Sequence, residues 1–245
     1  MCLDTRTNKT VAIKEMEIYE PEDLEVYQTE VSVHRSIVHP NIAKFIDAFA
    51  EKDNYYIVLE YCSGGDLEKL IKQRKRTKKF FTEEELTKLY TQLADALFYL
   101  HQDRRILHRD IKSQNVFVRD IESLEVCLGD FGLAKQTMRK TVMNQTTAGT
   151  PLYLAPEQMR NEPYNDKADI WSLGVLFYEM AALDYPFMAE SALALARVVV
   201  DQKHKPLTGG YSTLLRDLVE SMLEKQPANR PTMFQLFNSE FFFTV

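Results

Sequence analysis

Asp110, Lys112 and Asn115 share one short polar run, Asp110-Ile111-Lys112-Ser113-Gln114-Asn115, and Asp130 follows fifteen positions later in Asp130-Phe131-Gly132. The run supplies a carboxylate, a lysine two residues on and an asparagine five on. The second carboxylate sits in a separate turn whose glycine lets the backbone bend sharply. Such a set can orient a hydroxyl, neutralise a phosphoryl group and hold a divalent metal through hard oxygen ligands.

The elements that must position these residues change character along the chain. Val11-Ala12-Ile13-Lys14 is a short β-type run after a polar turn at 5–9. Pro21 opens a segment, 22–37, whose apolar residues Leu24, Tyr27, Val31, Val33 and Ile37 fall near helical spacing, with His39-Pro40-Asn41 as its stop signal. Residues 42–50 and 55–61 predict a strand pair joined by the charged turn Glu51-Lys52-Asp53-Asn54. From Ser63-Gly64-Gly65 onward the pattern is helical. Segment 66–73 predicts a short helix, and Thr82-Glu83-Glu84-Glu85 is a capping-box start for one running through Leu86, Leu89, Leu93, Leu97 and Leu100. After an irregular stretch to Glu157, helices are expected over 168–182, 193–202, 213–223 and 232–237. The basic run Lys72, Arg74, Lys75, Arg76, Lys78 and Lys79 reads as a solvated loop between helices, with docking of acidic partners as the alternative.

Composition bounds the rest. A chain of 245 residues can bury a large core as one domain or two lobes, and 45% hydrophobic with 27% charged residues is ordinary for a soluble protein. The net charge of −6, from 30 basic and 36 acidic residues, argues against nonspecific binding to nucleic acid. A few local cations and a metal ion can still hold an anionic nucleotide. Cys2, Cys62 and Cys127 are too few and too scattered for a disulfide framework or zinc cluster, and with no signal peptide they point to a reducing compartment. The longest apolar stretch, 171–183, carries Glu179 and falls short of a membrane span. The expectation is a soluble cytoplasmic or nuclear chain without a membrane partner.

The block His108-Arg109-Asp110-Ile111-Lys112-Ser113-Gln114-Asn115, with Asp130-Phe131-Gly132, resembles the catalytic and metal loops of protein kinases. The resemblance implies an α+β bilobal protein-kinase fold over 1–245, with a small β-rich lobe and hinge at 1–62 and a larger, mainly helical lobe at 63–245. It implies ATP and Mg²⁺ as cofactors and a protein serine or threonine hydroxyl as acceptor. Asp110 would orient the hydroxyl proton, Lys112 would meet the γ-phosphate, and Asn115 and Asp130 would bind Mg²⁺. Lys14 resembles the lysine that holds the α- and β-phosphates, and Glu30 stands where the family places its carboxylate partner; an ammonium beside a carboxylate stays charged and aimed. Leu59 would be the gatekeeper, backbone groups of Glu60 and Cys62 would read the adenine edge, and Ala12 and Phe117 would line the nucleotide site. Asp66 could reach the ribose or N-cap its helix. His108 and Phe131 would pack with His34 and Phe45. His34 departs from the usual aliphatic residue, either as a neutral core histidine or as a weak point.

From Asp130 to Glu157 the chain resembles an activation segment closing at Ala155-Pro156-Glu157. Thr146, with Thr147 beside it, stands where many family members are phosphorylated, and a phosphate there could pair with Arg109 and Lys135. Thr150 together with Lys112 suits serine/threonine specificity. Glu157 has a family partner in the arginine of Arg230-Pro231, and the aspartate of Asp169-Ile170-Trp171 would hold the catalytic-loop backbone. Glu60-Tyr61-Cys62-Ser63-Gly64-Gly65-Asp66-Leu67, Gln114-Asn115-Val116-Phe117 and Leu128-Gly129-Asp130-Phe131-Gly132 are similar to the NIMA-related serine/threonine branch. Kinases cover the phosphates with a glycine-rich loop ahead of the lysine strand, whereas none of the thirteen residues before Lys14 is glycine. Each charge-assisted hydrogen bond lost there is worth roughly 1.5–3 kcal/mol. Two readings follow, a weakened kinase or a pseudokinase scaffold that binds partners, with or without nucleotide, and does not turn over.

Overall fold

The Asp4 carboxylate turns the chain first, accepting hydrogen bonds from the Arg6 N–H (2.9 Å) and the Thr7 hydroxyl (2.8 Å). Strand β1 (Cys2–Asp4) thereby folds back on β2 (Lys9–Glu17). A computed structural model describes residues 1–52, 54–131, 151–239 and 241. β4 (Asn54–Glu60) pairs antiparallel with β2 on one side and β3 (Phe45–Glu51) on the other, giving the sheet order β1-β2-β4-β3. The strand expected from Ile42 begins three residues later. Asn41, Ile42 and Ala43 are taken by the far side of the hinge, where Leu128 donates to the Asn41 carbonyl (2.9 Å) and accepts from the Ala43 N–H (2.8 Å).

Helix α1 (Pro21–Arg35) starts on a proline whose missing N–H costs nothing there, while Asp23 accepts from the N–H groups of Tyr19 and Glu20, both at 3.0 Å. Its inward residues are Tyr27, Glu30, Val33 and His34, so a carboxylate and an imidazole share the buried side with apolar groups. A small apolar cluster (Tyr27, Ile57, Leu59, with Ala12, Met16 and Phe45 around it) seals α1 to the sheet.

Beyond the hinge the chain is mainly helical. Helix α2 (Leu67–Thr77) is longer than expected, capped by Asp66, which accepts from the Lys69 N–H at 2.9 Å. The basic run is therefore not a loop for most of its length. Arg74, Lys75 and Arg76 occupy the last helical turn, where cations complement the helix dipole. Arg74 grips Glu85 at 2.7 and 3.1 Å and lies over the Phe81 ring. Helix α3 (Glu83–Phe98) carries the expected reciprocal Thr82–Glu85 cap and continues as a π-turn, Tyr99–Arg104. A two-stranded ladder, β5 (Val116–Asp120) with β6 (Glu125–Leu128), was not expected in this part. Its runs are too short for periodicity to separate them from the loops they join.

Helix α4 (Pro156–Met159) is a single turn begun by a proline within the stretch expected to be irregular. Helix α5 (Asp166–Ala182) is buried almost all round, as its predominantly apolar sequence from Ile170 onward demands. Helices α6 (Ala192–Asp201), α7 (Thr213–Met222) and α8 (Met233–Phe237) follow within two residues of the expected bounds. The large core runs from α3 through α5 to α7, so the molecule has a small sheet-based lobe and a larger helical one.

Glu157 of α4 and Arg230 meet in that larger lobe with both side chains at most 3% exposed. The guanidinium donates to both carboxylate oxygens at 2.7 Å and also to the carbonyls of Glu224, Lys167 and Lys225. Arg230→Met is expected to cost about 3–5 kcal/mol in urea denaturation, because it leaves a buried carboxylate alone. Glu157→Leu added to it should restore most of that loss, so equal stability of the single and double variants would contradict the pairing.

Candidate active site

Side chains alternate along a strand, so Ala12 and Lys14 of β2 face the same side of the sheet. From there the Lys14 ammonium reaches Glu30 Oε1 and Oε2 at 2.8 and 3.0 Å and Asp130 Oδ1 at 2.8 Å. Burial alone would lower the Lys14 pKa, but the two carboxylates outweigh it and hold the pKa above its ordinary value. Burial in turn pushes the Glu30 carboxyl up against the pull of Lys14.

Asp169 near the start of α5 organises the catalytic-type loop. It accepts from the backbone N–H groups of His108 (2.9 Å) and Arg109 (2.8 Å) and pairs with His101 Nε2 at 2.8 Å. Burial opposes its charge, yet the bond from His101 and the attraction of His101 and His108 leave the Asp169 pKa lowered. Arg109 and Asp130 both have left-handed backbone, with φ of 70° and 63°. That conformation costs a non-glycine residue about 1–3 kcal/mol and persists where surrounding contacts fix it. Asp110 Oδ2 accepts from Lys112 Nζ (2.7 Å) and Asn115 Nδ2 (2.8 Å), and the same amide nitrogen donates to the Asp110 carbonyl at 2.7 Å. The Gly129 N–H donates to the Asn115 carbonyl at 2.9 Å, tying this cluster to the turn that carries Asp130.

The rings of Phe45, His34, Phe131 and His108 form a row with successive centroids 5.9, 4.7 and 5.1 Å apart. His34 Nε2 donates to the Ala43 carbonyl at 2.6 Å, while Nδ1 has no partner among the described residues. Burial holds its pKa below the ordinary value, which makes it a neutral core histidine.

A mostly apolar cavity of about 200 Å³ opens between the sheet and the β5–β6 ladder. It is lined by all six positions expected there: Ala12, Leu59, Glu60, Cys62, Asp66 and Phe117. Its floor is held by backbone bonds from the Gly64 N–H to Val118 O (2.9 Å) and from the Val118 N–H to Gly65 O (2.8 Å). A Cβ on Gly64 would lie 2.7 Å from the Val118 oxygen, so only glycine allows this approach. Asp66 caps α2 while also bordering the cavity. Lys135, Thr146, Thr147 and Thr150 lie outside the described residues.

Three features escaped sequence reasoning. Arg119 of β5 reaches the Glu60 carboxylate at 2.6 and 3.1 Å and the carbonyls of Pro40 and Ile42, bracing the two lobes at the hinge. Burial would raise the Glu60 pKa, but bonds from Arg119 and the Lys44 N–H hold it low. Under the catalytic-type loop, Ser113 donates to the Tyr153 hydroxyl, which donates to the buried Glu179 carboxylate. Glu179 had stood out only as a charge within an apolar stretch. Cys62 and Cys127, judged scattered, lie with sulfurs 3.6 Å apart. None of the three has a local sequence signal, since each joins residues at least 26 apart.

The protein kinase domain family matches residues 1–242. Serine/threonine-protein kinase Nek3 of Mus musculus is 39% identical over 95% of this chain and 44% of its own length. Nek1 of Mus musculus is 36% identical over 97% of the chain and 20% of its length, and Nek2 of Homo sapiens 37% over 86% and 48%. The chain thus spans less than half the length of these relatives. No helix of the described residues is long and apolar enough to cross a membrane.

His34 makes the stability of the fold depend on pH. Because its folded pKa lies below the free value of 6.5, the unfolded chain takes up the proton first, and stability falls as pH drops below about 6.5. His108, also held low by burial, contributes with the same sign. His34→Leu should melt increasingly above the wild type as pH is lowered from about 7.5 to 5.5. A gap that stays constant across that range would contradict a neutral His34.

Proposed function

Since the chain belongs to the protein kinase family and its Nek relatives are named serine/threonine-protein kinases, we propose that it transfers the γ-phosphoryl group of Mg-ATP to serine or threonine hydroxyls of protein substrates. The observation that carries the reading is the Lys14 ammonium held 2.8 Å from both Glu30 and Asp130. A lysine fixed between a helix carboxylate and the metal-type loop is aimed at the oxygens of a phosphate chain. The mostly apolar cavity suits a flat base: Ala12, Leu59 and Phe117 line it, and backbone groups of Glu60 and Cys62, which also line it, would meet the base's polar edge. Asp66, which also lines it, would meet a sugar hydroxyl.

The donor set fits magnesium. No cluster of three His, Cys, Asp or Glu side chains is present among the described residues. Magnesium does not need one, because it takes one or two protein oxygens and completes its shell with phosphate and water. Asp130 offers a carboxylate. Asn115 spends its amide nitrogen on Asp110, which leaves its carbonyl oxygen as the ligating atom. When bound, Mg-ATP supplies an electrophilic phosphorus and a metal charge that stabilises the oxygens around it.

Asp110 orients the acceptor hydroxyl and takes its proton. Lys112, already 2.7 Å from Asp110, neutralises negative charge building on the transferred group. A phosphate on Thr146 or Thr147 would draw Arg109 and Lys135 together, and Thr150 would border the acceptor.

The test is transfer of labelled phosphate from Mg-ATP to a mixed protein substrate. Asp110→Ala should lower the rate by about 10²–10⁴-fold, the usual worth of a positioned base. Equal transfer by the wild type and Asp110→Ala would overturn the assignment. Nucleotide binding without any transfer would leave the pseudokinase scaffold as the reading.

A further inference from the structure

Cys62 and Cys127 come from opposite sides of the hinge. Cys62 follows β4 and lines the cavity, whereas Cys127 is the third residue of β6, paired across the ladder with Phe117. Their sulfurs are 3.6 Å apart with no disulfide between them, and Ala43 and Phe117 close around the pair. A disulfide needs about 2.05 Å, so the sulfurs must close roughly 1.5 Å. The backbone on both sides is pinned. The Gly64–Val118 and Gly65–Val118 bonds hold the hinge to β5, and Leu128 is bonded to Asn41 and Ala43. Side-chain rotation with a small shift of the hinge at Cys62 is therefore the route to closure.

We propose that Cys62 and Cys127 form a reversible disulfide on exposure to a peroxide, and that this linkage and a nucleotide in the adjoining cavity exclude one another. The nucleotide half rests on the phosphoryl-transfer reading, whereas the linkage does not. Cys127 is fully buried and Cys62 is 9% exposed, so a small oxidant reaches the pair through the cavity. The contact with Cys127 draws the Cys62 pKa below its ordinary value against burial, with Arg119 acting in the same direction, while that contact and burial push Cys127 up. Cys62, which lines the cavity and meets the oxidant first, is the attacking thiolate, and the fully buried Cys127 is the resolving thiol.

In the first step the Cys62 thiolate attacks one peroxide oxygen. The S–O bond forms, the O–O bond breaks and hydroxide leaves. Cys127 sulfur then attacks the sulfenic sulfur, forming the S–S bond and breaking S–O, and the hydroxyl leaves with the Cys127 proton as water. Two thiols lose two electrons in all, and one peroxide becomes two waters. A dithiol reductant reverses the change by exchange. Drawing the Cys62 side chain back onto Cys127 shifts the backbone that would meet the base, and a base lying over Cys62 closes the way in.

The experiment treats the whole chain with hydrogen peroxide, with and without saturating Mg-ATP, and maps peptides without reduction. The expected result is one linked peptide pair containing Cys62 and Cys127, an intact mass lower by two hydrogens, and full reversal by dithiothreitol. Saturating Mg-ATP should slow linkage by about tenfold or more, and the oxidised chain should lose the thermal shift that Mg-ATP gives the reduced one. Cys127→Ser should stop at the Cys62 sulfenic acid, trapped by dimedone, which checks the order of attack. If the reduced chain binds Mg-ATP yet both cysteines are recovered unlinked, or link equally fast with nucleotide bound, the proposal is overturned. If the reduced chain binds no Mg-ATP, the phosphoryl-transfer reading and the exclusion both fall, and the peptide map alone decides for or against the linked pair.

Discussion

One ammonium shared between two carboxylates ties this molecule together. Lys14 comes from the sheet, Glu30 from α1 and Asp130 from the turn after β6, and their contacts of 2.8 Å bring three separately folded elements to one point. Without the cation, Glu30 and Asp130 would face each other as like charges in a site where burial already disfavours Glu30. The arrangement of α1 is thus set by charge as much as by apolar contact. The four-ring row from Phe45 to His108 runs beside it and holds the same elements by packing.

Below that point the strain is local and its supports can be named. Arg109 and Asp130 adopt backbone conformations that non-glycine residues seldom take. Asp169, fixed on the most buried helix, holds the first through two backbone N–H groups. Lys14 and the Phe131 stack hold the second from the far side. The hinge is likewise defined by contacts between lobes. Arg119 clamps Glu60, and the close approach of Gly64 to Val118 fixes the floor of the cavity. The chemistry proposed for Asp110, Lys112 and Asn115 depends on this frame more than on those three side chains alone.

Much of this was legible in the chain because local chemistry announces itself. The capping box at Thr82–Glu85, the apolar run of α5 and the two loop motifs each carry their signal within a few residues. The inner face of α1 was harder. Its apolar residues predicted a helix, but the face turned inward presents Glu30 and His34, and only the kinase resemblance singled them out. The β5–β6 ladder was missed because strands this short have no period to read. Arg119 with Glu60, Tyr153 with Glu179 and Cys62 with Cys127 were missed for another reason. Each pair is made by chain reversal at the hinge or around α5, which no spacing in the sequence encodes. The basic run that starts at Lys72 misled in the opposite sense: its charges suggested a solvated loop, yet most of them finish a helix, and Arg74, Lys72 and Lys75 pair with Glu85, Glu68 and Asp184.

The central claim is that the shared ammonium is the phosphate-binding cation of the cleft. Calorimetric titration of Mg-ATP into the wild type and Lys14→Met tests it most directly. Losing a charge-assisted contact worth roughly 1.5–3 kcal/mol should weaken binding by about ten- to hundredfold in a variant that circular dichroism shows to be folded. A folded Lys14→Met that binds Mg-ATP as tightly as the wild type would contradict the account.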